Sequence, residues 1–547
     1  MSFIPTDLGQ IEQTRQANLL LFTSMEKSWL TEIEKKFSAS AEIPAPVFKR
    51  NSEFLTPSQG SRYQLSALYY DTPDLRLCRT RITLRYRYGG KDEGWTLKLP
   101  GERGRIEIHS SAPADCGTPK YLTDFIVAVT RGKELVQVAR IDNQREETAL
   151  HDNDGVALLE FCDDHVNTEC FIPGGRNLTW REWEIELTQP ALERNDAFLL
   201  MESAAEILKC AGAQPASSPS KLRSALGQAF DLAPTPPLPA SLDTCSPVHN
   251  LWEILVQAKD QLIASDIGWR LDKENSLESL GTAINTLLQS LSATTDFFTA
   301  DRLQVLEQSL RTLANSIQRC REVGLVTDLV DREFSSILQE GVVDSESTYT
   351  ITRNLENELR SRLQFMIAQF THPSYYELLD ELDAFLSDPP LVTAVSAAIK
   401  YDDGQNNDAL AGGRKRSLEI LNRTYENLYH ELRATDQRLK NSRNTPHHVE
   451  LLSEIVNQTQ QLALLAELLP KDGETITSSK LVAKNICGAR DYLAGLNMIS
   501  EAQQSDGFSS ERAYVYGMAL QRVRQFFLEA LEEYHRAMNR LIECEGV

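Results

Sequence analysis

Residues 79–87 read RTRITLRYR. Arg79, Arg81, Arg85 and Arg87 share one parity with Thr83, and Thr80, Ile82, Leu84 and Tyr86 share the other. Successive side chains of a β-strand turn to opposite faces, so a strand here carries a row of guanidiniums on one side and a mostly apolar row on the other. Such a strand can grip an anion. An ordinary amphipathic strand with a solvated basic face would look the same in isolation. The neighbouring stretches decide, because they repeat the alternation with complementary charge.

Upstream, TEIEKKF (residues 31–37) puts Glu32, Glu34 and Lys36 on one strand face. Two carboxylates spaced by two can reach one hard divalent cation, and the lysine beyond them a phosphate oxygen. YYDTPDLRL (residues 69–77) gives an extended piece and a turn at Pro73 and Asp74. WTLKLP sets Lys98 beside Thr96 against Trp95, Leu97 and Leu99. RIEIH sets Arg105 and Glu107 against Ile106 and Ile108. Farther on, VALLEFCDDHV sets Glu160, Cys162 and Asp164 against Leu159 and Phe161, and WREWEIELT sets Glu182, Glu184 and Glu186 against Trp183, Ile185 and Leu187. A half-solvated antiparallel sheet accounts for any one of these strands, but not for charge being sorted by strand. A closed barrel with a wet interior does: cationic strands hold a polyanion and acidic strands hold the metal ions that neutralise it.

At 547 residues the chain exceeds one core, and its 41% hydrophobic and 24% charged content is that of a folded globular protein. A net charge of −22 argues against general nucleic-acid or anionic-membrane binding, which makes the basic strand a local exception. Nine scattered cysteines with no CxxC spacing suit reduced thiols and offer no zinc site. With no export signal and no bilayer-length apolar run, the expected location is cytoplasmic.

The ExExK at Glu32, Glu34 and Lys36, YYDTPDLRL, the LRYR from Leu84, WTLKLP, the EIE at Glu184 and SKLRSAL (residues 220–226) resemble, in order, the CYTH or triphosphate tunnel metalloenzyme family. The resemblance implies an eight-stranded antiparallel tunnel that binds a triphosphate and hydrolyses it with Mg²⁺ or Mn²⁺. It implies metal carboxylates at Glu32, Glu34, Glu184 and Glu186. It implies phosphate-binding cations at Lys36, Arg85, Arg87, Lys98, Arg140, Arg145, Lys221 and Arg223, with Glu107 and Asp164 as further acidic tunnel positions. Asp164 is preferred to Asp163 because it shares parity with Glu160. The tunnel domain is expected over residues 25–231, and residues 1–24 are read as a leader, either an upstream start or a disordered extension, with no role.

Residues 232–247 carry five prolines and read as a linker. Beyond it, apolar residues recur at three and four spacing, the pattern of an α-helical bundle over residues 248–547. A break at residues 388–390 and the polar stretch YDDGQNNDALAGG (residues 401–413) divide it near residue 390. YYELLDELDAFLSDPPL and AYVYGMALQRVRQ resemble the CHAD family, which implies two four-helix halves, each with a helix that binds polyphosphate through a histidine and a basic face. Here those helices, LESLGTAINTLLQSL and LSEIVNQTQQLALLAE, have Glu278 and Ser453 at the histidine position and no basic ladder. Residues 248–547 hold about 29 Lys plus Arg against about 44 Asp plus Glu, so a polyanion meets net repulsion. The helical part is therefore read as a degenerate CHAD domain kept for stability, homodimer assembly or a protein partner.

The expected activity is metal-dependent hydrolysis of inorganic triphosphate or another small triphosphate. The alternatives are adenylate cyclase or thiamine triphosphatase chemistry, or a non-catalytic phosphate-binding scaffold.

Overall fold

The computed structural model describes residues 29–48, 56–218, 220–240, 247–273, 275–340, 345–391, 407–442, 447–505 and 510–546. Residues 1–24 and the linker's residues 241–246 lie outside these. The chain divides into two compact units, one ending at Pro236 and the other resuming at Pro237.

The strands of the first unit are β1 (Trp29–Glu32), β2 (Glu34–Ala39), β3 (Thr56–Pro57), β4 (Ser61–Asp71), β5 (Thr83–Tyr88), β6 (Gly94–Pro100), β7 (Arg105–Ser110), β8 (Val136–His151), β9 (Ala157–Cys170), β10 (Thr179–Leu187) and β11 (Gln214–Pro215). They form one antiparallel sheet in the order β1-β7-β6-β5-β4-β8-β9-β10-β2-β11, with β3 on β8. Only Ile33 separates β1 from β2. The strand that pairs with β7 at one end of this path thus runs straight into the one that pairs with β10 at the other. With β1 and β2 taken as one strand and the two-residue β3 and β11 set aside, eight strands curl into the expected tunnel wall. At the seam, Gly104 passes so near β1 that an added Cβ would lie 2.2 Å from the Glu32 carbonyl oxygen.

The expected strand over residues 79–87 is shorter in the structure, because β5 starts at Thr83 and Arg76–Arg79 is a helical turn. Asp71 is the cause. Its fully buried carboxylate accepts the backbone N–H groups of Thr72, Leu77 and Cys78 at 2.7, 2.9 and 2.9 Å, and the Thr72 hydroxyl accepts that of Arg76 at 3.0 Å. These bonds satisfy the donors at the start of a helical turn and hold the chain in it. Arg81 then takes a left-handed backbone conformation, φ 61°, and is exposed. Arg79 packs its guanidinium 4.5 Å from the Phe230 ring. Only Arg85 and Arg87 of the expected row face the interior.

Elsewhere the alternation is kept. Phe37, Phe161, Trp183, Ile185 and Leu187 turn outward and are buried with Leu200, Met201, Ala204 and Leu208 of the helix Ala197–Cys210. The hydrophobic core thus lies outside the sheet, each fully buried large side chain contributing about 2–3 kcal/mol, and the charged parity is left for the inside. At one end the helix Lys221–Leu226 packs Leu222, Ala225 and Leu226 in one cluster with Ala67, Tyr69 and Ile141. Ser220 caps that helix, its Oγ accepting the Arg223 N–H at 3.1 Å.

In the second unit the described residues are helical. Pro247–Arg270, Ser276–Ala293, Ala300–Glu340 and Ser345–Phe370 follow one another, then Pro373–Ser387, then Asn407–Asn441, His447–Leu468, Gly473–Ser505 and Ser510–Cys544. The second, third and fourth helices of the first set pack on their counterparts in the second set, as two equivalent four-helix halves would. Leu280, Ile284, Leu287 and Leu291 form the buried stripe of Ser276–Ala293, and Gln289 donates to Asn457 Oδ1 at 3.3 Å where the two second helices meet. Residues 407–413, expected to divide the halves, belong instead to the helix Asn407–Asn441, and residues 392–406 lie outside the described ones. Among the described residues no helix is long and apolar enough to cross a membrane.

Candidate active site

Strand register sets the inner wall in rows. Glu34 on β2 lies opposite Glu186 on β10, and Glu186 opposite Glu160 on β9. In the next row Lys36 faces Glu184, and in the row after that Glu182 faces Asp164, which faces Arg145 on β8. On the other wall Tyr69 faces Arg85, and Lys98 faces Glu107. These rows surround a cavity of about 290 Å³.

Eleven of the fourteen expected site residues line it: Glu32, Glu34, Lys36, Arg85, Arg87, Lys98, Glu107, Arg145, Glu184, Glu186 and Lys221. Asp164 has no exposed surface and lies directly behind Arg145 and Lys221. Asp163 turns the other way, onto Arg181. Arg140 and Arg223 are not brought to the cavity. Ile141, Asn143 and Arg145 point inward from β8, so Arg140 has the outward parity; it is half-exposed and donates to Asp142 at 3.1 Å. Arg223 is two residues from Lys221 on a helix and so faces away from it. It stacks 4.0 Å from the Phe230 ring and donates to the Gly227 carbonyl at 3.1 Å.

The cations rest on carboxylates. Lys98 lies 2.5 Å from Glu32, Lys36 lies 2.8 Å from Glu34 and also contacts Glu184, and Arg145 forks onto Asp164 at 2.7 and 2.6 Å. Lys221 sits 2.9, 2.6 and 2.6 Å from Asp164, Glu182 and Glu184. Burial pushes the Glu184 carboxyl up, yet Lys221, Lys36 and Arg145 outweigh it and hold it well below the ordinary range. Burial works against Lys221 too, but its three carboxylates hold it charged.

Asp164, Glu182 and Glu184 place oxygens within 4.8 Å of one another, a set that could hold a metal ion. The Lys221 ammonium already lies among them. In the row Glu34–Glu186–Glu160 like charges lie directly opposite on paired strands and repel; Lys36 pairs with Glu34 at 2.8 Å and Lys91 reaches Glu160 at 4.0 Å, but Glu186 has no ion pair among the described residues. Burial first, then the Glu32 charge, pushes the Glu186 carboxyl up to about 8. Glu32 Oε2 is buried with no hydrogen-bond partner among the described residues. Hard oxygen donors short of positive charge fit a divalent cation of the Mg²⁺ or Mn²⁺ class.

Tyr69, Asn143, Glu147, Lys91 and Asp92 also line the cavity and escaped the sequence reading. Asn143 and Glu147 share the parity of Arg145, and Tyr69 that of Leu65 and Ala67, so alternation could have found them. Lys91 and Asp92 come from the hairpin between β5 and β6, where no periodicity speaks.

Fold and site together define a closed antiparallel tunnel whose inner wall carries rows of cations against rows of carboxylates. Residues 30–209 match the model of the CYTH domain, whose homologues are metal-dependent triphosphatases and cyclases. An uncharacterized protein of Mycobacterium tuberculosis strain CDC 1551 is 28% identical over 501 residues, covering 87% of this chain and 93% of the relative. Another, from strain H37Rv, is 27% identical with the same coverage. Among solved structures, PptA from Streptomyces chartreusis is 10% identical and covers 53% of this chain and 98% of its own, with a TM-score of 0.40. HpAC1 from Hippeastrum, described as a putative adenylyl cyclase with a dominant triphosphatase activity, is 16% identical and covers 36% of this chain and 96% of its own, with a TM-score of 0.21.

Proposed function

We propose that the first unit is a divalent-metal-dependent hydrolase of inorganic triphosphate or another small triphosphate compound. The observation that carries this reading is the sorted inner wall: Lys36, Arg85, Arg87, Lys98, Arg145 and Lys221, with Lys91 and Arg105, line a narrow cavity beside Glu186, a carboxyl with no ion pair among the described residues. A linear triphosphate carries several negative charges, and only several fixed cations offset their mutual repulsion. Lys36, Lys98, Arg145 and Lys221 would exchange their carboxylate contacts for phosphoryl oxygens, while Arg85 and Arg87 approach from the facing wall. Glu34 and Glu186, with Glu32, would hold the metal. When bound, such an ion supplies Lewis-acid polarisation of phosphoryl oxygens and acidifies a water.

The test is phosphate release from inorganic triphosphate, with and without Mg²⁺ or Mn²⁺, by the full chain and by Glu34→Gln. The expected result is metal-dependent release that falls at least about a hundredfold in the variant. No release by either protein, with ATP and thiamine triphosphate also inert, would leave the tunnel as a binding module.

A second reading draws on a neighbouring cavity of about 550 Å³ that shares Lys36 and Ser220 with the tunnel and is lined by Trp180, Asn167, Thr179 and Ser217. It is large enough for an organic group on the triphosphate. If ATP is the substrate, Trp180→Ala lowers turnover of ATP and leaves that of inorganic triphosphate unchanged.

For the second unit we propose a CHAD-like pair of halves without polyphosphate binding. The meeting of its two second helices through Gln289 and Asn457, rather than through basic residues, supports this.

A further inference from the structure

Residues 89–93 form the hairpin between β5 and β6. Glu93 Oε2 accepts the Gly89 N–H at 2.9 Å and closes its base, while Gly90, Lys91, Asp92 and Glu93 are exposed. Gly89 (φ 76°) and Gly94 (φ 132°) pass so near Gln64 and Ser110 that an added Cβ would lie 2.5 and 2.4 Å from their carbonyl oxygens. The chain thus leaves and re-enters the wall in conformations that glycine alone adopts without strain. Its tip reaches over the cavity. Lys91 lies 2.5 Å from Glu147 on β8 and 4.0 Å from Glu160 on β9, on the far side of β4 from its own strands.

The neighbouring Asp92 takes up Arg87. Arg87 Nε and Nη2 donate to the Asp92 carbonyl oxygen at 3.3 Å each, and Nη2 donates to its carboxylate at 2.9 Å. Elsewhere in the tunnel the close carboxylate partners stand on the strands themselves: Glu34 for Lys36, Glu32 for Lys98, Asp164 for Arg145 and Lys221, Glu147 for Lys91. Those carboxylates are 13% exposed or less, and Asp92 is 59% exposed. A carboxylate built into the wall stays where it is, whereas one on an exposed hairpin tip can be exchanged for another anion. The Arg87 guanidinium, only 10% exposed, needs a counter-charge when no ligand is present. Asp92 supplies one that is tethered but held weakly, because its own side is open to water.

We propose that Asp92 is a tethered competitor of the substrate: its carboxylate holds Arg87 in the absence of ligand and must swing out before a phosphoryl oxygen takes that guanidinium. The inference rests on the reading of the tunnel as a triphosphate site. It makes the affinity of the site lower than the cations of the wall alone would give, with the difference set by one residue of the hairpin.

The experiment is calorimetric titration of the full chain with inorganic triphosphate in EDTA, so that no turnover accompanies binding. The chains compared are wild type, Asp92→Asn, Arg87→Ala, the double variant and Glu146→Gln. The last removes one negative charge from the outward parity of β8, where Glu146 is 51% exposed and pairs with Arg62 at 3.2 Å. Asp92→Asn is expected to tighten binding about fivefold in the wild-type background and not at all in the Arg87→Ala background. Glu146→Gln is expected to change it less than about twofold. Binding by Asp92→Asn that is weaker than wild type, or equal to it, overturns the inference while sparing the triphosphate reading. An equal gain in the Arg87→Ala background, or from Glu146→Gln, would make the effect one of net charge and overturns it as well. No binding by wild type or by Asp92→Asn overturns both.

Discussion

Glu186 shows what a single side chain reports about this site. Opposite Glu34 and Glu160, and without an ion pair among the described residues, its carboxyl is lifted to about 8, by burial first and then by neighbouring carboxylates. A carboxyl raised in the folded state stabilises the fold fully below its unfolded pKa of about 4.3, and that contribution is lost as pH rises through the folded value. The metal-free protein should therefore lose thermal stability between about pH 5 and pH 8, whereas Glu186→Gln should not, as differential scanning calorimetry in EDTA would show. The same residue ties metal uptake to a proton: Mg²⁺ affinity, followed by calorimetry, should rise as pH is raised toward 8 and lose that dependence in Glu186→Gln. Sequence alternation placed Glu186 on the inner face. It could not say that Glu186 lacks a cation while Glu184, two residues away, has three, because that depends on which strands become neighbours.

At the scale of elements, the turn after β4 sets where the arginine row begins. Asp71→Ala would orphan three buried backbone N–H groups and should cost about 3 kcal/mol, read as a shift in the urea midpoint at constant slope. The motif YYDTPDLRL was legible as a turn, but not as a helical one that removes Arg79 and Arg81 from the strand. Their parity matched the row, and a buried cap overrode it. On the outer face the reading was more secure, because Trp183, Ile185 and Leu187 alternate with the charged residues and are buried in one cluster with Phe37, Phe161 and the helix Ala197–Cys210. Trp183→Ala is expected to cost about 3–5 kcal/mol and to lower the midpoint without altering the inner wall's charges.

Across the whole molecule, several tunnel carboxylates titrate in the opposite sense to Glu186. Glu34, Glu107, Asp164 and Glu184 are each held below the ordinary range by neighbouring cations against the burial that raises them. A depressed carboxyl gives stability present above its unfolded pKa and lost as pH falls through the folded one. Tryptophan fluorescence should therefore report a steep acid unfolding that begins below about pH 4. For the second unit, residues 237–547 expressed alone should show no retention on long-chain polyphosphate, whereas retention would mean that its basic residues converge in a way their spacing conceals. The two-part architecture was legible throughout, since proline punctuation and a change of period mark it. Arg140 and Arg223 were misplaced because a family position does not fix which way a side chain turns.

The strand interrupted at Ile33 also dictates an order of events. Its first half pairs with residues made soon after it, in β7, but its second half must wait for β10, about 150 residues later in synthesis. Such late, distant pairing is the slow part of folding. Glu32 and Glu34 sit on either side of that seam, so closure of the wall and assembly of the acidic row are one event. A nascent or partly opened chain therefore has no site with which to capture metal or phosphate prematurely, and any ligand that bridges the seam acts as a clasp on the finished fold.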